Sequence, residues 1–172
     1  VFKAAITSLE IRFAAYAYVD DTDLVVSLDD VLATALDAAA QLQNSLNTWE
    51  GGIRATGGAI EPSKSFWYLV DFKWQNGEWR YASAAETPAE LTVRDTDGVV
   101  QTLRRLEPHE AERTLGIRLA PDGNDQTEFD YLRGQARKWA DNIRAGHLPH
   151  HLVRQSLETT IMKTLEYPLA VT

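Results

Sequence analysis

Cysteine is absent from the 172 residues and methionine occurs once. No disulfide can staple this fold and no thiolate can hold zinc, so stability must come from a packed core. The lack of cysteine fits an intracellular protein, in the cytoplasm or nucleus. No apolar run reaches the ~20 residues of a membrane span, so no membrane partner is expected. The opening VFKAAITSLEIRF has one early lysine, no sustained apolar stretch and no clear cleavage site, unlike a secretory leader. Basic residues are also scarce. With 17 Lys and Arg against 25 Asp and Glu, the net charge of −8 argues against a simple phosphate-binding protein. Internal repeats and low-complexity linkers are missing as well.

What remains is a hydrophobic fraction of 44%, enough for a real core in one domain or one domain with an appendage. The charge is uneven. From Arg133 onward six Lys and Arg (Arg133, Arg137, Lys138, Arg144, Arg154, Lys163) face three acids (Asp141, Glu158, Glu166), whereas 11 basic face 22 acidic residues before it. Such asymmetry usually marks solvated helix faces. Here it leaves the tail free to approach a polyanion while the acidic part can hold cations.

The pattern along the chain predicts an α+β fold. Arg12–Ser27 reads as two β-prone runs meeting at Val19-Asp20-Asp21, a hairpin. Ser27 followed by Asp30 reads as a helix start, and Leu32, Leu36, Ala39, Leu42 (or Gln43), Leu46 and Trp49 form one face of a long helix. Gly51-Gly52 weakens that helix and Gly57-Gly58 ends it. SFWYLVDFKW and EWRYA are expected to pair through Asn76-Gly77, and ELTVR and GVVQTL through Asp95–Gly98. TLGIRLA is a further expected strand, closed by Pro121-Asp122-Gly123. Phe129, Leu132, Ala136, Trp139 and Ile143 then mark one helix ended by Gly146. Leu152 or Val153, Leu157, Ile161 and Leu165 mark another, stopped by Pro168. The one boundary suggested lies near Pro121–Asp125, giving segments 1–122 and 123–172.

Asp20 and Asp21 carry the sharpest chemical signal. Adjacent carboxylates resist joint ionisation unless a cation compensates them. Mg²⁺ does so, because it takes hard oxygen ligands from very few carboxylates together with substrate phosphates. On a regular strand neighbours point to opposite faces, but a turn between them lets both border one site. The plainer reading is a polar β-turn at a sheet edge.

Tyr18-Val19-Asp20-Asp21 between β-prone runs resembles the Tyr-x-Asp-Asp signature of reverse transcriptases. In that family a helix follows, then a glycine and a lysine in a short loop, matched by Gly57-Gly58 and Lys64. A later hairpin carries a Leu-Gly pair, matched by Thr114-Leu115-Gly116-Ile117. KSFWYLVDFKW and LGIRLAPDGN most resemble retrotransposon polymerase regions of non-LTR or related type, and order and spacing agree over roughly residues 14–121.

The resemblance implies an RNA-directed DNA polymerase, a nucleotidyltransferase, in which Asp20 and Asp21 help bind two Mg²⁺ ions, replaceable by Mn²⁺. Tyr18 and Val19 would lie under the primer terminus and incoming nucleotide, Lys64 would approach the triphosphate, and Leu115 and Gly116 would grip the primer. It implies a palm with an antiparallel sheet and packed helix, then α-helical thumb elements whose Arg133, Arg137, Lys138 and Arg144 lie near the template–primer backbone. RNA or DNA template–primer, deoxynucleoside triphosphates and the rest of a retroelement polyprotein are the implied partners. The plainer alternatives are a surface lysine capping a loop at Lys64, an ordinary core strand at Leu115-Gly116, and solvated charges on the later helix.

Two features depart from the family. Its third metal carboxylate lies on an earlier strand, and only nineteen residues precede Asp20. The expectation is therefore a later palm and early thumb, inactive alone. The hairpins over about 75–112 are a long insertion, where Trp74 and Trp79 read as cross-strand partners rather than base-stacking platforms. The alternative function is a non-catalytic module, binding nucleic acid or protein, from a degenerate or domesticated element. The histidines 147, 150 and 151 lack further ligands at zinc spacing.

Overall fold

The computed structural model describes residues 14–18, 21–28, 30 and 32–169. It is mixed α and β, and it divides by internal contacts into two units, residues 1–108 and 109–172.

In the first unit β1 (Ala14–Tyr18) and β2 (Asp21–Val25) form the expected antiparallel ladder, closing with Tyr18 opposite Asp21. Along β2 the residues alternate: Thr22 and Leu24 are half-buried, while Asp21, Asp23 and Val25 are exposed. Leu24 packs on the core. The long helix α1 spans Ala35–Ala55 and starts seven residues later than Ser27 would have it. Thr34 wins as the cap because it forms a reciprocal box with Asp37. The Asp37 backbone N–H donates to Thr34 Oγ1, and the Thr34 N–H and hydroxyl both donate to Asp37 Oδ2 at 2.8 and 2.7 Å. Those bonds lower the Asp37 pKa. Leu32 is consequently outside the helix and 88% exposed, not on its buried stripe. Gly51 and Gly52 stay helical, and Gly57, at φ +86°, takes the chain out.

The buried stripe of α1, Ala39 and Leu46, meets Trp67, Leu69, Leu91, Val93 and Leu103. A polar seam fixes the register. Gln43 accepts from the Thr92 N–H at 2.8 Å and donates to the Thr92 carbonyl at 2.9 Å. Glu50 accepts from Arg54 Nε and from the Arg94 N–H. Gln43 thereby completes the open edge of a strand, as a backbone neighbour would.

The expected SFWYLVDFKW strand is two pieces, β3 (Phe66–Tyr68) and β4 (Phe72–Gln75), because the chain turns from one partner to another between them. β4 pairs with β5 (Glu78–Tyr81) across Asn76-Gly77, whose φ values of 54° and 85° suit a tight hairpin turn. Trp74 stands opposite Trp79 with ring centroids 5.2 Å apart. β6 (Thr92–Arg94) and β7 (Val100–Thr102) form the other expected hairpin. β8 (Arg104–Leu106) pairs parallel with β3. The described strands thus associate as five two-stranded ladders, four antiparallel and one parallel, rather than as one antiparallel sheet.

In the second unit TLGIRLA is not a single strand. β9 (Glu112–Thr114) and β10 (Ile117–Leu119) are its two arms, and Leu115-Gly116 is the turn. Helix α2 spans Gln126–Gly146. His147, not Gly146, takes the left-handed position after it, at φ 47°, with Nδ1 2.8 Å from the Ala145 carbonyl. Phe129 is exposed under the Arg133 guanidinium and does not join the buried stripe with Leu132. Helix α3 (His150–Ser156), a π turn (Leu157–Ile161) and α4 (Met162–Leu169) complete the unit, and α4 continues through Pro168. Among the described residues Ile117, Leu132, Ile161 and Pro168 are its buried apolar side chains. No helix among the described residues is long and apolar enough to cross a membrane.

Candidate active site and nucleic-acid contacts

Asp21 begins β2 and is exposed, beside the connection of the β1–β2 hairpin. Asp23, two residues on, is exposed on the same strand face. Val19 and Asp20 lie outside the described residues, and of Tyr18 only the strand backbone is described. Carboxylate oxygens at an open hairpin end are the donor type that Mg²⁺ accepts. Among the described residues no three His, Cys, Asp or Glu side chains gather as a metal cluster.

Lys64 ends a 3₁₀ turn, Pro62–Lys64, and its side chain is exposed. The turn is held locally. Glu61 Oε1 accepts from the Ser63 N–H at 3.3 Å and its hydroxyl at 2.7 Å, and Ser65 Oγ donates to the Glu61 carbonyl at 2.9 Å. The Ser63 bonds, with help from the Lys64 charge, lower the Glu61 pKa. A short turn fixed at both ends carries the ammonium without spending its charge on an ion pair among the described residues.

Leu115 and Gly116 belong to the second unit. Their φ values are 51° and 91°, and Leu115 is exposed. The left-handed region costs a non-glycine residue roughly 1–3 kcal/mol, so this hairpin accepts strain to hold a leucine at its tip. A core-strand role for the pair is excluded by that position.

On α2 the steps of 100° per residue put Arg133, Arg137 and Arg144 on one face, with Lys138 a quarter-turn or more away. All four are exposed, while Glu128 and Leu132 are buried. Arg133 donates to Asp130 at 2.7 Å, so part of its charge is already answered. The buried Glu128 and Leu132 lie on a different face from the arginines, whereas Phe129, expected in the stripe, lies beneath Arg133.

Glu128 is the residue that sequence patterning misses. An acid in the first turn of a helix normally complements the helix dipole in solvent. Here the side chain is 0% exposed. Its Oε2 accepts from the Arg118 N–H at 2.9 Å and lies 3.5 Å from Arg118 Nη1, whereas Oε1 has no hydrogen-bond partner. Arg118 in turn lies 3.8 Å over the Tyr131 ring. Nothing in the spacing of apolar residues signals that burial.

Compared with protein-family models, curated proteins and solved structures, the chain matches none.

Proposed function

We propose that the chain is the later palm and early thumb of a retrotransposon reverse transcriptase, an RNA-directed DNA polymerase. The observation that carries the reading is the β1–β2 ladder, which closes with Tyr18 opposite Asp21 and leaves Val19 and Asp20 as the connecting residues. A helix packed on that ladder, a lysine on a hydrogen-bonded turn and a Leu-Gly hairpin tip follow in the order the resemblance requires.

In this reading Asp21, with Asp20, would hold Mg²⁺ through carboxylate oxygens, and the ion would supply charge stabilisation to an in-line displacement at phosphorus. The primer 3′-hydroxyl gives its proton to solvent water and attacks the α-phosphorus of a deoxynucleoside triphosphate, the bond to the bridging β-phosphate oxygen breaks, and pyrophosphate leaves. Lys64 offers its ammonium to the triphosphate and a proton to that leaving group. The Leu115-Gly116 tip supports the primer end. Arg133, Arg137, Lys138 and Arg144 neutralise template–primer phosphates.

The test is primer extension on an RNA template with Mg²⁺, using the full-length gene product. Extension lost in both Asp20→Ala and Asp21→Ala supports the assignment, and extension that survives either change sinks it. Template binding without extension by the unmutated product would favour a non-catalytic module.

A further inference from the structure

We infer that a groove in the second unit binds one nucleotide, and that Glu128 recognises the exocyclic amino group of its base. The groove encloses about 270 Å³, and Arg113, Gly116, Glu128, Tyr131, Trp139 and Lys163 are among its lining residues. That volume falls just below the ~300 Å³ where small-molecule pockets begin, which suits a single base better than a dinucleotide.

Three chemistries meet there. At the buried end is Glu128, a carboxylate whose Oε1 has no donor. Buried acceptors are almost always paired, and an unpaired charged one is costly, so a ligand that brings an N–H relieves a standing penalty. Along the wall are two aromatic rings. Tyr131 already carries the Arg118 guanidinium, which leaves the half-buried Trp139 as the ring on which a base can stack. At the rim are Arg113 and Lys163, exposed and without an ion pair among the described residues.

A simple cation would be repelled by that rim, and a simple anion would be repelled by Glu128. A ligand with a hydrogen-bond donor at one end, a flat apolar middle and a phosphate at the other satisfies all three.

The backbone around the groove is also unusual. Gly116 belongs to the strained Leu115-Gly116 turn. Lys163 and Thr164 lie in the first turn of α4, just after the π turn at 157–161. Such insertions re-aim the side chains that follow them, and they recur at functional sites.

The choice of a nucleotide, rather than another ligand with a donor and an anion at its ends, rests on the polymerase reading. The groove chemistry does not.

Calorimetric titration of the 172-residue chain with two matched pairs, CMP against UMP and AMP against IMP, tests the inference. Each pair exchanges an exocyclic amino group for a carbonyl oxygen. CMP and AMP are expected to bind on the order of tenfold more tightly than UMP and IMP. Glu128→Gln keeps an oxygen for the Arg118 N–H but replaces the free acceptor with an NH₂ donor, so the preference in both pairs should reverse. Lys163→Ala should weaken all four about equally, flatten their salt dependence and leave the ranking intact.

No binding by the folded chain, or equal binding of the members of each pair, would overturn the inference. Circular dichroism checks the folding of Glu128→Gln. If that variant is unfolded, the wild-type ranking and Lys163→Ala still decide. Primer extension separates the two claims. Extension by the full-length product without nucleotide binding here removes only the groove, and binding here without extension removes only the polymerase.

Discussion

Up to Pro108, α1 lays Ala39 and Leu46 on a cluster that includes Leu91 and Val93, each 1% exposed. The polar groups it brings inside, Gln43 and Glu50, find partners at each side-chain oxygen and, for Gln43, at the amide nitrogen. From His109 onward the buried apolar residues among those described are Ile117, Leu132, Ile161 and Pro168, and the most deeply buried side chain is the half-satisfied carboxylate of Glu128. Each unit leaves buried polar atoms unmatched, Trp67 Nε1 and Arg105 Nε in the first and Glu128 Oε1 in the second. The difference is that the first surrounds them with the larger apolar cluster, whereas Glu128 lines a groove, the kind of local conflict that natural sequences tolerate where a ligand or a reaction makes use of it.

The comparison can be broken first at the hairpin. Asp21→Ala in the full-length product should reduce primer extension by at least about a hundredfold, with thermal stability unchanged because Asp21 is exposed. A drop in melting temperature matching the activity loss would make Asp21 structural. Next, Leu91→Ala should cost about 2–5 kcal/mol, the range for opening a cavity in a well-packed core. Leu132→Ala should lie near the bottom of that range, because fewer buried apolar side chains surround it. Chemical denaturation with hydrogen exchange resolved by residue would rank them, and equal costs would show the second unit to be as tightly packed as the first.

Thr34→Ala removes the α1 cap and should cost about 1 kcal/mol, read as faster amide exchange in the first turn of α1. The smallest effect concerns acid. Glu86 is held far below the ordinary glutamate pKa by its bonds to Arg80, then by the Ser83 N–H. Its stabilising contribution is therefore fully present above the ordinary value of 4.5 and fades as pH falls below it. The pair is exposed, so salt screens it. Melting curves between about pH 6 and about pH 3 should flatten slightly in Glu86→Gln, and an unchanged slope would remove Glu86 from the acid response.

Hairpins were legible where turn chemistry is explicit. Asn76-Gly77 and Asp95–Gly98 both connect the strands that their residues predict. The β1–β2 ladder was legible for the same reason, as alternation on either side of two carboxylates. Where two local signals competed, the sequence was ambiguous. Ser27 with Asp30 and Thr34 with Asp37 are both credible caps, and the reciprocal bonds of the second decide. Leu115-Gly116 looked like strand because leucine rarely takes a positive φ, and the hairpin imposes it.

By itself, the order of residues determined the tight turns, the long amphipathic helices and the placing of Asp21 beside a hairpin connection. Those depend on φ preferences and on periodicity, which act over a few residues. The tertiary structure alone decided that β3 pairs in parallel with β8, that Gln43 completes the edge of β6, and that Glu128 is buried with one oxygen unanswered. Each depends on groups distant in the chain competing for the same partner, and burial settles that competition by the cost of leaving a polar group unpaired.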